Sequence, residues 1–350
     1  MFYSHHIRES IEIMIGFTEH WNEYFDRIPA ELLDLYFREE YVRLYETESE
    51  KACCFVYEAG DSIMLFPFLL RAFEYKGTIY YDFETAYGYG GPVSNDHSEA
   101  FMTAAFQTMI DKAKAENYVC GFTRFHPLLE NWDYFYKVGC LIQDRKTIAI
   151  DLSGGIEATW RNEIHTKNRN VIKKGEKNGL EFVVDNDFTY LKEFEKLYNS
   201  TMDKLEADGF YYFEPKYYDQ LKDTIQNRFL GIVKHDGKVV AGAIFFYQLP
   251  YGHYHLAGSD KAFLKLSPNN FLLWGADIEL IHINLLGINS EEVKTMKLST
   301  KGKYGLKAMF ELAVSGNENE PVPLKYIANR QEISDQYLEQ IFSALKKAGL

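Results

Sequence analysis

One pattern occurs twice along this chain, and it restricts the fold more than any composition figure does. Residues 52–72 read as strand, turn, strand: Cys-Cys-Phe-Val-Tyr, then Glu-Ala-Gly-Asp, then Ile-Met-Leu-Phe-Pro-Phe-Leu-Leu. Residues 229–249 read the same way: Phe-Leu-Gly-Ile-Val, then Lys-His-Asp-Gly-Lys, then Val-Val-Ala-Gly-Ala-Ile-Phe-Phe. Apolar runs either side of a Gly-containing turn are the hairpin signal. A Tyr-rich strand (78–83), a Gly-rich loop (87–92) and a helix near 98–116 follow the first hairpin. A Tyr/His strand (252–257), a polar loop and a helix near 267–285 follow the second. Hairpin, strand, loop and helix, repeated, imply two similar α/β domains in tandem, although mixed domains also share such strings by chance.

The copies then diverge. After the first helix come strands expected at 118–125 and 147–152; after the second the α/β pattern stops at Leu286-Gly287. A helix is expected over 159–179, with Trp160, Ile164, Val171 and Ile172 broadly on one face and Asn178-Gly179 as its stop, and another over 188–207.

Charge separates the chain into unlike parts. From Met296 on there are 8 Lys and Arg against 6 Asp and Glu, a balance of +2, which leaves −15 for the remainder of a chain whose net charge is −13. An acidic body argues against nonspecific nucleic-acid binding there. Cys53, Cys54, Cys120 and Cys140 form no Cys-x-x-Cys pair, so they read as reduced thiols rather than a disulfide or zinc signature. Residues 1–19 mix His, Arg and Glu with apolar residues, unlike a signal segment, and the longest apolar run, 239–249, is too short to span a bilayer. A cytoplasmic location and no transmembrane segment are expected.

Several clusters could carry chemistry. Arg161, Lys167, Arg169, Lys173, Lys174 and Lys177 face only Glu163 and Glu176, a local +4 suited to phosphates or carboxylates, or equally a solvated helix face. The loop from Glu84 to Pro92 combines three glycines with Tyr87 and Tyr89, which permits close backbone approach to a ligand at Gly90 or forms a plain tight turn. Ser267-Pro-Asn-Asn270 opens a helix whose free N–H groups favour an anion such as a pyrophosphate, beside a bare capping role. His253 and His255 sit two apart on a strand and share a face, so one could serve as a general base; a metal would need a third ligand that the sequence does not place. Arg124 and His126 end a strand, where α/β folds often place binding residues, and Tyr211-Tyr212-Phe213 is another aromatic cluster.

Taken together, the stretches Glu84–Pro92 with Tyr-Gly-Tyr-Gly-Gly-Pro, Arg124-Phe-His-Pro127, residues 167–179, Tyr211-Tyr-Phe213 and residues 253–270 make the body, from about Phe17 to Gly287, resemble the Fem-type branch of the GNAT acyltransferase superfamily. That branch includes peptidoglycan bridge-forming aminoacyltransferases and relatives linked to polysaccharide or cell-envelope pathways. The resemblance implies two tandem GNAT-like domains and direct attack of an acceptor amine on an activated acyl group. The protein then positions reactants, polarises the carbonyl and removes a proton. The coiled-coil arm that some relatives use with aminoacyl-tRNA has no counterpart here, so acyl-CoA and aminoacyl-tRNA both stay open as co-substrate. The family's closing Gly-rich strands are missing after Gly287.

The segment from Met296 reads differently. Residues 323–330, a turn at 331–333 and residues 334–348 form a helix-turn-helix pattern, with Ser334 as cap and Tyr337, Leu338, Ile341, Phe342 and Leu345 at helical spacing. Residues 298–309, 333–342 and 345–350 closely resemble the iron–sulfur-cluster regulator (IscR-type) family of winged-helix repressors. By position, Ser334, Gln336, Tyr337 and Glu339 would face the major groove, and Lys301 and Tyr304 the phosphates. That family's wing, dimerisation helix and cluster cysteines would lie beyond Leu350. Residues 291–296, Glu-Glu-Val-Lys-Thr-Met, back-translate to a purine-rich ribosome-binding sequence ahead of a start codon, which suggests a translated intergenic bridge.

The expectation is therefore an α/β (α+β) protein of two tandem GNAT-like domains with mixed sheets flanked by helices (1–150 and 151–288, the second truncated). A linker (289–295) and an all-α partial winged helix-turn-helix (296–350) follow. The expected activity is acyl or aminoacyl transfer to an amine of an anionic, cell-envelope or polysaccharide precursor, with no tightly bound cofactor and no metal. The alternative is a DNA-binding regulator with a vestigial or ligand-binding body. His253, His255 and Glu84 are the candidate catalytic residues. Tyr87, Tyr89, Gly90, Arg124, His126, Lys167, Arg169, Lys173, Tyr211 and Tyr212 are candidates for the acceptor, and Ser267, Asn269 and Asn270 for the donor.

Overall fold

The computed structural model describes residues 15–288, apart from 134, 136–137 and 144–146. It divides into two compact units. Of the described residues, one unit comprises those up to 150 together with 165–280, and the other 151–164 and 281–288.

The first unit contains both sheets. Strands β1 (Ile15–Thr18), β2 (Glu50–Ala59), β3 (Ser62–Tyr75) and β4 (Thr78–Glu84) pair antiparallel in sequence order, and β5 (Val93–Ser94) pairs with β3. Helix α2 (Glu99–Ala115), which follows the short α1 (Glu39–Arg43), then crosses over to β6 (Tyr118–Phe122), parallel to β4. The second sheet runs β7 (Leu180–Asp185), β8 (Arg228–His235), β9 (Lys238–Gln248) and β10 (Tyr251–Ser259), again antiparallel in sequence order. Between β7 and β8 lie α5 (Leu191–Lys204) and α6 (Pro215–Thr224), and α7 (Pro268–Ile288) follows β10.

Local chemistry explains the second hairpin and the start of α2. Lys238 pairs with His235, so Asp236-Gly237 is a two-residue loop, and both residues have positive φ (49° and 74°). That backbone matches the twist of the strands it joins, and Asp-Gly is among the few pairs that adopt it readily. Ser98 caps α2 by accepting from the N–H of Phe101, as a Ser before an apolar-periodic run should.

Period-two alternation buries both faces of β2 and β3. Cys54, Val56, Ile63 and Leu65 enter a core shared with Phe37, Tyr41, Ile232 and Phe246, whereas Cys53, Phe55, Phe66 and Phe68 pack with Phe101, Met102 and Phe106 of α2. The adjacent cysteines therefore lie in different cores, and burial pushes Cys53 up to about 12. A strand was also expected at 147–152, but these residues pair with no strand among the described residues, and Ile148 is 92 % exposed. Alternation selects a face only where a neighbouring strand supplies the ladder.

The basic helix is shorter than the sequence suggests. Within the smaller unit, α3 (Gly155–Ala158) runs into a π turn (Thr159–Glu163), and Ile164 is extended. Helix α4 (Thr166–Lys177), in the larger unit, begins anew with His165 accepting from the N–H of Lys167 and ends at Asn178-Gly179, Gly179 having φ 77°. Trp160 and Arg161 thus do not share a helix with Lys167, Arg169 and Lys173. Among the described residues no helix is long and apolar enough to cross a membrane.

Candidate active site

A buried strap at residues 28–44 brings together what the sequence keeps far apart. Leu33, Leu35, Tyr36, Phe37, Tyr41 and Val42 anchor it in the core, Trp21 Nε1 donates to the Phe37 carbonyl at 2.7 Å, and Tyr251 Oη donates to the Glu31 carbonyl at 2.6 Å. The strap carries one buried carboxylate, Asp34. It caps the turn Leu35–Phe37, accepting from the Leu35 N–H at 2.6 Å. It also faces His126 Nε2 at 2.6 Å, and His253 Nε2 lies 2.7 and 2.8 Å from its two oxygens. Burial alone would push the Asp34 carboxyl up, but His253 and His126 outweigh it and hold the group below its ordinary range. The Asp34 and His126 side chains are fully buried; that of His253 is 9 % exposed.

Tyr36 closes one side, its ring 4.5 Å from that of His253. Gly88 has φ 101°, and a Cβ there would fall 2.4 Å from Tyr36 Cε1. Both the backbone conformation and the space therefore demand glycine. Asn131 pins the Gly-rich loop: its Nδ2 donates to the carbonyls of Gly90 (2.9 Å) and Pro92 (3.0 Å), while its Oδ1 accepts from the His126 N–H. Gly90 N–H donates in turn to the Arg124 carbonyl at 2.8 Å.

A second centre surrounds His255. Its Nε2 lies 2.7 Å from Tyr217 Oη and 3.3 Å from Tyr45 Oη, and these two hydroxyls are 3.0 Å apart. Tyr41 Oη donates to the Tyr87 carbonyl, and the Tyr87 ring sits 5.5 Å from His255 with Phe210, Tyr211 and Phe213 around it. Burial, then the neighbouring His253, pushes His255 down to about 3, so its ring is neutral across the physiological range.

The structure thus joins His126 with His253, and Tyr87 and Tyr211 with His255. Tyr89 packs against Tyr36 and His126, and its hydroxyl meets Thr147 Oγ1 at 3.1 Å. Arg124 is exposed, its charge felt by Glu84 and Tyr87. Tyr212 points instead to Asp203, at 2.9 Å. Glu84 stands apart: its charged neighbours are Glu50, Arg71, Asp82 and Arg124, and burial followed by Glu50 raises its carboxyl. Lys167, Arg169 and Lys173 lie on α4, which packs on β7 and on the turn Lys261–Leu266. That turn leads through Ser267 (φ 55°) into α7, so the basic helix neighbours the start of the helix that holds Asn269 and Asn270. Lys301, Tyr304, Ser334, Gln336, Tyr337 and Glu339 lie outside the described residues. Asp34, Tyr36, Tyr45, Asn131 and Tyr217 escaped sequence reasoning; the only local hint was an Asp before a short turn.

A separate recess of about 470 Å³, lined by Phe17, Glu19, Cys53, Leu70, Tyr81 and Tyr118 among others, includes none of these site side chains. Its one thiol is the protonated Cys53, which makes it a poor reaction centre.

Comparison with known proteins agrees with this architecture. Residues 163–276 match a family model described as an acetyltransferase (GNAT) domain, and residues 298–350 one described as an iron-dependent transcriptional regulator. The chain joins a GNAT-like body to an IscR-like segment. The crystal structure of FemX superposes with a TM-score of 0.59 at 12% identity, covering 76% of this chain and 85% of that one, which is a likeness of fold. The HTH-type transcriptional regulator IscR of Vibrio campbellii is 54% identical over 55 residues, 16% of this chain and 32% of that protein. The IscR of Aliivibrio salmonicida matches over the same shares at 54%. The chain therefore spans about a third of the length of these curated relatives.

Proposed function

We propose that the body is an acyltransferase that moves an acyl or aminoacyl group from an activated donor to an amine, with His253 as general base. The observation that carries this is His253 hydrogen-bonded to the buried Asp34 carboxylate, on the same strand as the tyrosine-surrounded His255. A base needs its conjugate acid stabilised, and Asp34 supplies the anion for an imidazolium. The GNAT family match and the FemX-like fold support the reaction class. The faces of Tyr87, Tyr211 and Phe213 suit a sugar or other flat, partly apolar ligand, and exposed Arg124 suits an anionic group on it. An anionic glycan-containing precursor, as the Fem-type resemblance implies, fits both features. The start of α7 and the basic helix beside it suit the phosphates of acyl-CoA or the backbone of aminoacyl-tRNA. The matching order of strands in the two sheets supports a duplicated GNAT-like arrangement.

The test is a mass-spectrometric transfer assay offering acyl-CoA or aminoacyl-tRNA as donor and amine-bearing glycan precursors as acceptor. Amide product is expected, and His253→Ala should reduce its rate by about 10²–10⁴. An equally active variant would remove His253 from the chemistry.

The IscR-like segment supports a second proposal, DNA binding through residues 298–350. Promoter DNA retarded by the full chain, but not by a chain ending at Lys294, is the expected result; equal retardation by both would assign the binding to the body.

A further inference from the structure

We infer that Asp34 is the positioning residue of this centre: it holds His253 with Nε2 protonated and Nδ1 bare, while His126 serves as a fixed neutral partner rather than a metal ligand. The inference rests on the transferase reading for its purpose, but the proton positions follow from hydrogen bonding alone.

His126 comes first. Its Nδ1 faces two backbone donors, the N–H of Leu128 at 3.3 Å and of Leu129 at 3.2 Å. A nitrogen facing two donors must present its lone pair, so the ring proton of neutral His126 sits on Nε2 and is donated to Asp34 at 2.6 Å. An ionised carboxylate can only accept, so His253 Nε2, at 2.7 and 2.8 Å from the Asp34 oxygens, also carries a proton. The neutral His253 ring then has one free lone pair, on Nδ1, for which no partner exists among the described residues. The other titratable groups facing this centre are Tyr36, Tyr251 and His255, with Tyr89 and Glu31 behind them.

These three residues are also the composition of a metal site, since Asp34, His126 and His253 offer ligand atoms within 4.8 Å of one another. The outer hydrogen bonds decide against it. A metal-bound histidine normally donates its second ring N–H to an acceptor. His126 meets donors at that position. Binding a metal through Nε2 would require either an imidazolate or the loss of both backbone hydrogen bonds.

The consequence for transfer is a defined proton route. As the acceptor nitrogen bonds to the acyl carbon, the carbon's bond to the donor's sulfur or oxygen breaks. The proton lost from nitrogen moves to His253 Nδ1. Asp34 stabilises the imidazolium through Nε2–H, and the same proton then passes from Nδ1 to the leaving thiolate or alkoxide. Amide and thiol or alcohol are the products, and His253 returns to its starting state.

Nitrogen-15 NMR of the full chain labelled at histidine tests this, with His126→Gln and His253→Gln identifying the signals. In their neutral forms both rings should show Nε2–H with bare Nδ1, and equimolar Zn²⁺ should leave the signals in place. In Asp34→Asn, His253 should lose its Nε2–H preference, and kcat should fall about 10²–10⁴-fold with KM changing far less. A wild-type His253 protonated at Nδ1, or histidine signals shifted by Zn²⁺ together with a Zn²⁺-dependent rise in Tm, would overturn the inference. Should Asp34→Asn not fold, the wild-type spectra and Zn²⁺ titration decide alone. The expected tautomers in a chain that transfers no acyl group would sink the transferase reading and leave the positioning intact.

Discussion

His253 and His255 share a strand, lie two residues apart and are each 9 % exposed, yet their surroundings make them chemically different. His253 meets the Asp34 carboxylate, whereas His255 meets the hydroxyls of Tyr217 and Tyr45. Neutral hydroxyls satisfy a neutral imidazole but give little to an imidazolium, so burial dominates and His255 stays unprotonated. His253, equally buried, has a carboxylate as its hydrogen-bond partner instead. Buried carboxyls differ in the same way. Asp34, with two imidazoles, is held low, while Asp277 on α7 has an oxygen without a partner among the described residues, and burial raises it to about 7. A hydrogen-bonding partner that favours the charged form, rather than depth, decides which buried group can work as a charge.

The sharpest way to break this comparison is to exchange the roles. His253→Ala should abolish most transfer, whereas His255→Gln should keep the rate within about tenfold; equal losses would make the Tyr217 centre the reactive one. The next effect concerns Asp277. Its folded value lies above the ordinary one near 3.8, so its neutral form is favoured by folding, and stability is lost as pH rises from about 4 to about 7. Each tenfold change in proton affinity is worth about 1.4 kcal/mol, so Asp277→Asn should stabilise the protein at pH 8 by a few kcal/mol, read in urea denaturation. No gain at pH 8 would mean that the carboxylate finds a partner.

His255 gives the opposite slope. Its folded value, about 3, lies below the 6.5 of a free imidazole, so the unfolded chain takes up a proton that the fold refuses. Stability should drop as pH falls below about 6.5, by about 2 kcal/mol at pH 5, and His255→Gln should flatten that slope. Asp34 adds a later loss at lower pH, where its depressed carboxyl finally protonates. The smallest effect is expected from Tyr217→Phe, which removes the nearer hydroxyl on His255 while Tyr45 remains: about 1 kcal/mol of stability and little change in rate. A collapse in rate instead would place the tyrosine hydroxyls in the proton route.

What the sequence determined by itself is what depends on neighbours a few residues apart. Asp236-Gly237 made one hairpin because the turn needs positive φ at both positions. Ser98 started α2 because its side chain reaches an N–H three residues on. Strand alternation likewise marked His253 and His255 as neighbours on one face of a strand. Where a reading needed a distant partner, it failed or fell short. Residues 147–152 find no strand to pair with among the described residues, and the periodicity of 159–179 runs across a break at Ile164.

Only the tertiary structure decided which histidine has a carboxylate. Asp34 is 92 residues from His126 and 219 from His253, distances over which no spacing rule operates. Packing of the strap residues Leu35, Tyr36 and Phe37 into the core brings Asp34 between the two rings. Hydrophobic burial is non-directional and sets that placement, and the hydrogen bonds then fix the protons.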